Sequence, residues 1–312
     1  MELIRGTHNL RPRHRGCVAT IGNFDGVHLG HRAVLDQLHA RADALGLPAV
    51  VITFEPYPQE YFARSQPPAR LTRLREKLVA LEAAGVQRVL VLAFNARLAA
   101  MRAGDFVQHL LVDGLGVRFL VVGDDFRFGH GREGDYALLE RCGAAAGFEV
   151  AHTATHLIDG VSVSSTRIRE RLAAGELAEA ARLLGRPYAV HGRVAHGQQL
   201  GRTIGFPTAN VHLRRRATPL GGVYAVVLRS PGLPPLAGVA NLGRRPTVGG
   251  TREQLEVHCF DFDGDLYRRR VQVEFRERLR PEQRFPSLDE LKLQIARDAE
   301  AARAHFRARP AD

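Results

Sequence analysis

Along the first half of the chain, apolar residues come in short unbroken runs separated by longer amphipathic stretches. Cys17–Ile21, Ala49–Phe54, Arg88–Leu92 and Arg118–Gly123 are rich in Val, Ile and Leu. Unbroken apolarity over that length predicts strands covered on both faces. Between them, His31–Leu45 sets Val34, Leu35, Leu38, Ala42 and Leu45 on one helical stripe. Leu71–Ala84 and Tyr136–Ala146 read the same way, with Gly85 and Gly147 at the expected C-caps. Strand and helix in alternation predict a parallel, doubly wound α/β sheet that binds ligands at the carboxyl ends of its strands.

Beyond about residue 185 the pattern shortens. Tyr188–Val194, Gly222–Leu228, Leu236–Leu242, Gln254–Phe260 and Arg270–Phe275 are strand-like, with turn signals such as Pro231-Gly232 and Asp263-Gly264 between them. This predicts a small antiparallel β-barrel. Leu288–Phe306 carries Leu291, Ile295, Ala299 and Ala302 at helical spacing and predicts one terminal helix. Two domains follow, residues 1–184 and 185–312, as expected for 312 residues.

Composition narrows the partners. The formal net charge is +11, which raises the question of nucleic acid. Yet Lys77 and Lys292 are the only lysines, and the arginines are scattered, with runs no longer than Arg214–Arg216 and Arg268–Arg270. That distribution favours anionic small molecules over nucleic acid. Cys17, Cys142 and Cys259 lie far apart in no metal spacing and read as reduced thiols of a cytoplasmic protein. No secretory leader or membrane-spanning run is expected, and nothing in the sequence indicates an oligomer.

Two segments carry candidate chemistry. Gly22-Asn23-Phe24-Asp25-Gly26-Val27-His28-Leu29-Gly30-His31 follows the first strand and opens the first helix. A helix start offers orphan N–H groups and positive dipole to an anion, and His28 and His31 can add imidazole donors. Gly22 and Gly30 would let backbone approach a nucleotide. The alternatives are two surface histidines flanking a turn, or a metal pair lacking a third ligand. Thr53–Pro58, Gly123–Gly129 and Ser164–Arg169 leave later elements with aromatic, carboxylate, hydroxyl and guanidinium groups. The first two suit a nucleotide site or, equally, a rigid loop and core, while the hydroxyl-capped start at Ser164–Arg169 favours phosphate binding over caps and solvated charges.

Downstream, Gly197, Gly201 and Gly205 precede Phe206-Pro207-Thr208-Ala209-Asn210. No lysine follows, so this is not a P-loop, but a glycine-spaced flap can cover phosphates. Thr208 and Asn210 offer hard oxygens of the kind Mg²⁺ accepts, at a spacing that shares a strand face. Phosphorylating an alcohol needs a base, and Glu256 is the candidate, on the strand face of His258 and Phe260. Each has a structural alternative, a turn for Asn210 and an exposed strand position for Glu256.

The stretches Gly22–His31, Gly123–Gly129, Ser164–Arg169, Gly205–Asn210, Gly238–Gly243 and Leu255–Tyr267 resemble, in order, the prokaryotic bifunctional riboflavin kinase/FMN adenylyltransferase family. The resemblance implies a Rossmann-like nucleotidyltransferase domain joined to a six-stranded kinase barrel. It implies phosphorylation of riboflavin to FMN and adenylylation of FMN to FAD, with ATP as co-substrate and Mg²⁺ as cofactor. It gives His28 and His31 phosphate stabilisation, and Gly22, Asn23, Phe24, Gly30, Ser165, Thr166, Arg169, Gly201 and Gly205 ATP binding. Pro56, Pro58, Phe62, Asp125, Arg280 and Phe285 fall where the family holds flavin. Thr208 and Asn210 correspond to the metal ligands and Glu256 to the base. Two departures stand out: Tyr57 where the family often has His, expected to bear on FMN affinity, and Arg268 where Gly usually follows the Leu-Tyr pair, expected to alter a turn.

Overall fold

The computed structural model describes the chain except residues 64–66, 197–204, 216, 248–249, 310 and 312, and except the side chains of 244–247 and 250–252. It divides into two compact units, residues 1–68 with 72–164, and residues 69–71 with 165–312. The expected flap residue Gly201 lies outside the described residues.

In the first unit, β1 (Glu2–Arg5), β2 (Cys17–Ile21), β3 (Ala49–Glu55), β4 (Arg88–Ala93), β5 (Val117–Gly123) and β6 (Glu149–Thr153) form one sheet in the order β1-β4-β3-β2-β5-β6. Every pairing is parallel. Alternate residues feed two cores. Cys17, Ala19, Ile21, Val50 and Ile52 join the cluster with Phe106, Leu110 and Leu139, while Val18, Ala49 and Val51 pack with Leu35, Leu38 and Leu81. The strand order reverses between β2 and β5. Loops leaving those two strands therefore open the crevice where doubly wound sheets bind ligands. β7 (Leu157–Ile158) and β8 (Val161–Ser162) make a separate short hairpin.

The second unit opens with helices Ser165–Ala174 and Leu177–Leu184. Then β9 (Ala189–Ala195), β10 (Ala209–His212), β11 (Gly222–Arg229), β12 (Leu236–Thr247), β13 (Gly250–Cys259) and β14 (Arg270–Arg280) close an antiparallel barrel in the order β10-β13-β12-β11-β14-β9. Closure leaves no edge strand exposed. Val211, Leu242, Leu255 and Val257 are buried on one face. On the opposite face, Val223, Ala225, Val239 and Phe260 pack under Ala299 and Ala302 of the terminal helix Leu288–Ala308. Arg268 solves its turn with a left-handed backbone, φ 63°, the conformation that a glycine adopts freely.

Candidate active sites

β2 ends at Ile21, and the chain turns through Gly22–Val27 before the helix Leu29–Leu45. His28 is its N-cap. His28 Nδ1 accepts from the His31 backbone N–H at 3.3 Å, and His31 Nδ1 accepts from the His28 N–H at 3.4 Å. This is a capping box built from two imidazoles. A neutral ring accepting at Nδ1 carries its proton on Nε2, so both rings hold the donor form of that nitrogen. The rings stack at 3.7 Å, and Phe24 packs 4.9 Å from His31.

Both glycines are crowded by their immediate neighbours. A Cβ on Gly22 would come 3.1 Å from the Phe24 ring, and one on Gly30 would come 3.1 Å from the Val163 carbonyl and 3.2 Å from the His28 ring. They make room for the aromatic stack itself. Phe24 and Val27 both sit at positive φ, 48° and 43°, which costs a non-glycine residue roughly 1 kcal/mol or more each. Such backbone persists only where surroundings hold it.

The surroundings are a buried polar knot. Asp25 Oδ1 accepts from the Thr72 N–H at 2.9 Å, the Thr72 hydroxyl at 3.2 Å and the Tyr57 hydroxyl at 3.2 Å. Gly26 N–H donates to Thr72 Oγ1 at 2.9 Å. Lys77, fully buried, donates to Thr53 Oγ1 at 3.0 Å and lies 4.3 Å over the Tyr57 ring. Thr53 Oγ1 donates to the Asn23 carbonyl at 3.4 Å. Tyr57, where the resembled family often has His, is 4% exposed and engaged beneath the loop.

A cavity of ≈ 770 Å³ opens beside the loop, lined by Gly22, Asn23, Pro58, Phe62, Phe94 and Asp125 among others. Phe62 and Phe94 meet edge to face at 5.7 Å, with Tyr61 5.4 Å from Phe94. Pro56, His28 and His31 are not part of that lining. Sequence reasoning missed Phe94, although it leaves β4 where the strand-end rule looks for ligand contacts. Ser165, Thr166 and Arg169 occupy the opening turns of helix Ser165–Ala174, in the second unit. There Arg169 Nε donates to the Ala69 carbonyl at 2.6 Å.

In the barrel, Asn210 on β10 stands opposite Glu256 on β13, and Asn241 on β12 stands opposite the same Glu256. Thr208, just before β10, lines a groove of ≈ 310 Å³ with Pro207, Ala209, Asp263, Asp265 and Tyr267. His258 Nδ1 lies 2.8 Å from the Pro207 carbonyl. A carbonyl only accepts, so that nitrogen carries the proton and ties the segment to β13. Gly205 takes a positive φ of 84° ahead of it. Cys259 also lines the groove, and burial pushes its thiol up to about 12, so it stays neutral and inert as a nucleophile.

Two neutral oxygens, Thr208 Oγ1 and Asn210 Oδ1, suit a hard cation that completes its shell with phosphates and water. Among the described residues no cluster of three or more His, Cys, Asp or Glu could hold a metal alone. The donor set fits Mg²⁺ arriving with a nucleotide. Of the remaining flavin candidates, Arg280 pairs its guanidinium with Asp298 at 2.7–3.1 Å and lies 5.6 Å from the half-buried Phe285 ring.

The chain matches the family model described as FAD synthetase over residues 10–167 and the riboflavin kinase model over residues 184–306. It is 56% identical, over 98% of both chains, to the bifunctional riboflavin kinase/FMN adenylyltransferase of Escherichia coli strain K12. It is 54% identical, over 97% of both, to the protein of that name from Pseudomonas fluorescens. A crystal structure titled as a macrolide-efflux protein from Streptococcus pneumoniae superposes with TM-score 0.83 at 29% identity, covering 97% of this chain and 99% of that one. Among the described residues no helix is long and apolar enough to cross a membrane.

Proposed function

Because the chain belongs to the bifunctional riboflavin kinase/FMN adenylyltransferase family, we propose a division of labour between its two sets of site residues. The protein phosphorylates riboflavin with ATP to FMN and adenylylates FMN with a second ATP to FAD. We assign adenylylation to residues 1–184 and the kinase reaction to residues 185–312. Three free cysteines support a reducing, cytoplasmic setting.

In the kinase, Glu256 takes the proton from the terminal hydroxyl of riboflavin as its oxygen attacks the γ-phosphorus of ATP and ADP departs. Thr208 and Asn210 would hold Mg²⁺, which screens phosphate charge when bound. His258 keeps the Pro207–Asn210 segment against β13. Gly201 and Gly205 cover phosphates, and Arg280 and Phe285 flank the flavin.

In the adenylyltransferase, an FMN phosphate oxygen attacks the α-phosphorus of ATP and pyrophosphate leaves. That oxygen is already ionised at neutral pH, so no base is needed. His28 and His31 donate from Nε2 to the phosphoryl oxygens, with the helix start behind them. Asn23 and Phe24 shape the nucleotide end, and Ser165, Thr166 and Arg169 bind ATP phosphates. Pro56, Pro58, Phe62 and Asp125 take the flavin.

The observation carrying this reading is that Asn210 and Glu256 face each other in register next to the segment bearing Thr208. One assay tests it: purified protein, riboflavin and Mg-ATP, with flavins separated by chromatography. His28→Ala should accumulate FMN without FAD. Glu256→Gln should form no FMN yet convert supplied FMN to FAD. A single substitution abolishing both steps in a folded protein would refute separate sites.

A further inference from the structure

β13 brings a third residue to the kinase machinery. Gln254 lies two positions before Glu256 and shares its strand face. Its Nε2 lies 2.6 Å from Glu256 Oε1 and 2.9 Å from Asn210 Oδ1.

Hydrogen-bond chemistry fixes the direction of this chain of contacts. An ionised carboxylate only accepts, so the end of Gln254 that meets Glu256 is its NH₂ group. That NH₂ has two protons, one for each neighbour. The Asn210 atom facing it must therefore be the amide oxygen. An asparagine amide bound to a cation uses that oxygen, because the lone pair on its nitrogen is delocalised into the carbonyl. Turned over, Asn210 would set NH₂ against NH₂ and lose the contact.

We infer that Gln254 is a positioning residue for phosphoryl transfer, orienting the Asn210 amide and the Glu256 carboxylate together. The inference rests on the kinase reading above and deepens it. The polarity of a metal ligand is set from the general base through one amide, so base and ligand cannot be misoriented independently.

The test compares two substitutions of similar length. Gln254→Met removes both donations. Gln254→Glu keeps the shape but reverses the polarity: a carboxylate there accepts from Asn210 Nδ2, turning the amide over, and repels Glu256. Riboflavin kinase kcat should fall about tenfold in Gln254→Met and further in Gln254→Glu, as expected for losing a hydrogen bond to a charged group. KM for riboflavin and the rate of FMN adenylylation should stay near wild type. Independently of turnover, calorimetric titration with ADP, with Mg²⁺ and with a chelator, should show the Mg²⁺-dependent gain in affinity shrinking in both variants.

Full kinase kcat in either variant, Gln254→Glu matching or exceeding Gln254→Met, or equal losses in both activities would each overturn the inference. Asn210→Ala and Glu256→Gln run alongside as controls. Kinase activity surviving in one of those would sink the underlying assignment instead, whatever the Gln254 variants do.

Discussion

The hydroxyl of Tyr57 donates to Asp25 Oδ1 at 3.2 Å, joining the loop after β3 to the loop after β2 inside the protein. Tyr57→Phe leaves the ring under Lys77 and removes this bond and the one to the Thr72 carbonyl. A buried bond to a carboxylate contributes about 1.5–3 kcal/mol. Adenylylation kcat should fall several-fold while KM for FMN and the kinase rate hold. Steady-state kinetics on FMN check this; a rise in KM alone would mean Tyr57 touches flavin after all.

Gly30→Ala should damage the same reaction by another route. The added methyl meets the Val163 carbonyl and the His28 ring. Overpacking of that kind costs about 1–3 kcal/mol, and relief comes by displacing the imidazole. FAD formation from supplied FMN should drop at least tenfold, with thermal unfolding shifted by only a few degrees.

Asp298→Ala should destabilise the barrel unit. The carboxylate is buried, receives the Arg280 guanidinium and an amide proton from Gln294 at 2.9 Å, and ties the terminal helix to β14. Removing one partner of a buried pair costs about 3–5 kcal/mol. Denaturant unfolding monitored by circular dichroism measures the loss.

Arg268→Gly should do the opposite. Relieving a left-handed non-glycine residue stabilises by about 1 kcal/mol, partly offset by the greater freedom of glycine in the unfolded chain. The midpoint of unfolding should rise slightly, with kinase activity retained.

Acid should weaken the N-terminal edge through Glu2. Hydrogen bonds from Arg13 and then His14 hold its carboxyl below the usual glutamate value. A lowered folded pKa stabilises above the unfolded value and loses that contribution as pH falls through the folded one. The stability gap between wild type and Glu2→Gln should therefore be widest near neutrality and close on acidification below the ordinary glutamate range.

Strands buried on both faces were legible as unbroken apolar runs. Within the parallel sheet the two that were not, Glu2–Arg5 and Glu149–Thr153, are its edges, with only Ile4 fully buried in the first and no residue fully buried in the second. Edge strands lack a neighbour on one side and carry too little apolar signal. In the barrel, β12 and β13 extend beyond the expected apolar cores because hairpin pairing continues through polar residues to Thr247 and Gly250. Helix starts carried clearer marks, and the first helix begins at Leu29, two residues before the expected His31. The site residues that escaped, Gln254, Phe94 and the buried role of Tyr57, share one cause. Their significance lies in partners tens of positions away, and pairing register is not written in local pattern.

The alternation along β13 couples architecture to chemistry in one further respect. Leu255 and Val257 point to the buried face while Gln254, Glu256 and His258 point away from it. A slip of one residue against β10 would drive carboxylate and imidazole into the apolar interior and turn leucine and valine outward. Such an isomer could not phosphorylate anything, even if it remained compact. Recovery of FMN synthesis during refolding therefore counts correctly threaded barrels, whereas recovery of secondary structure counts all of them.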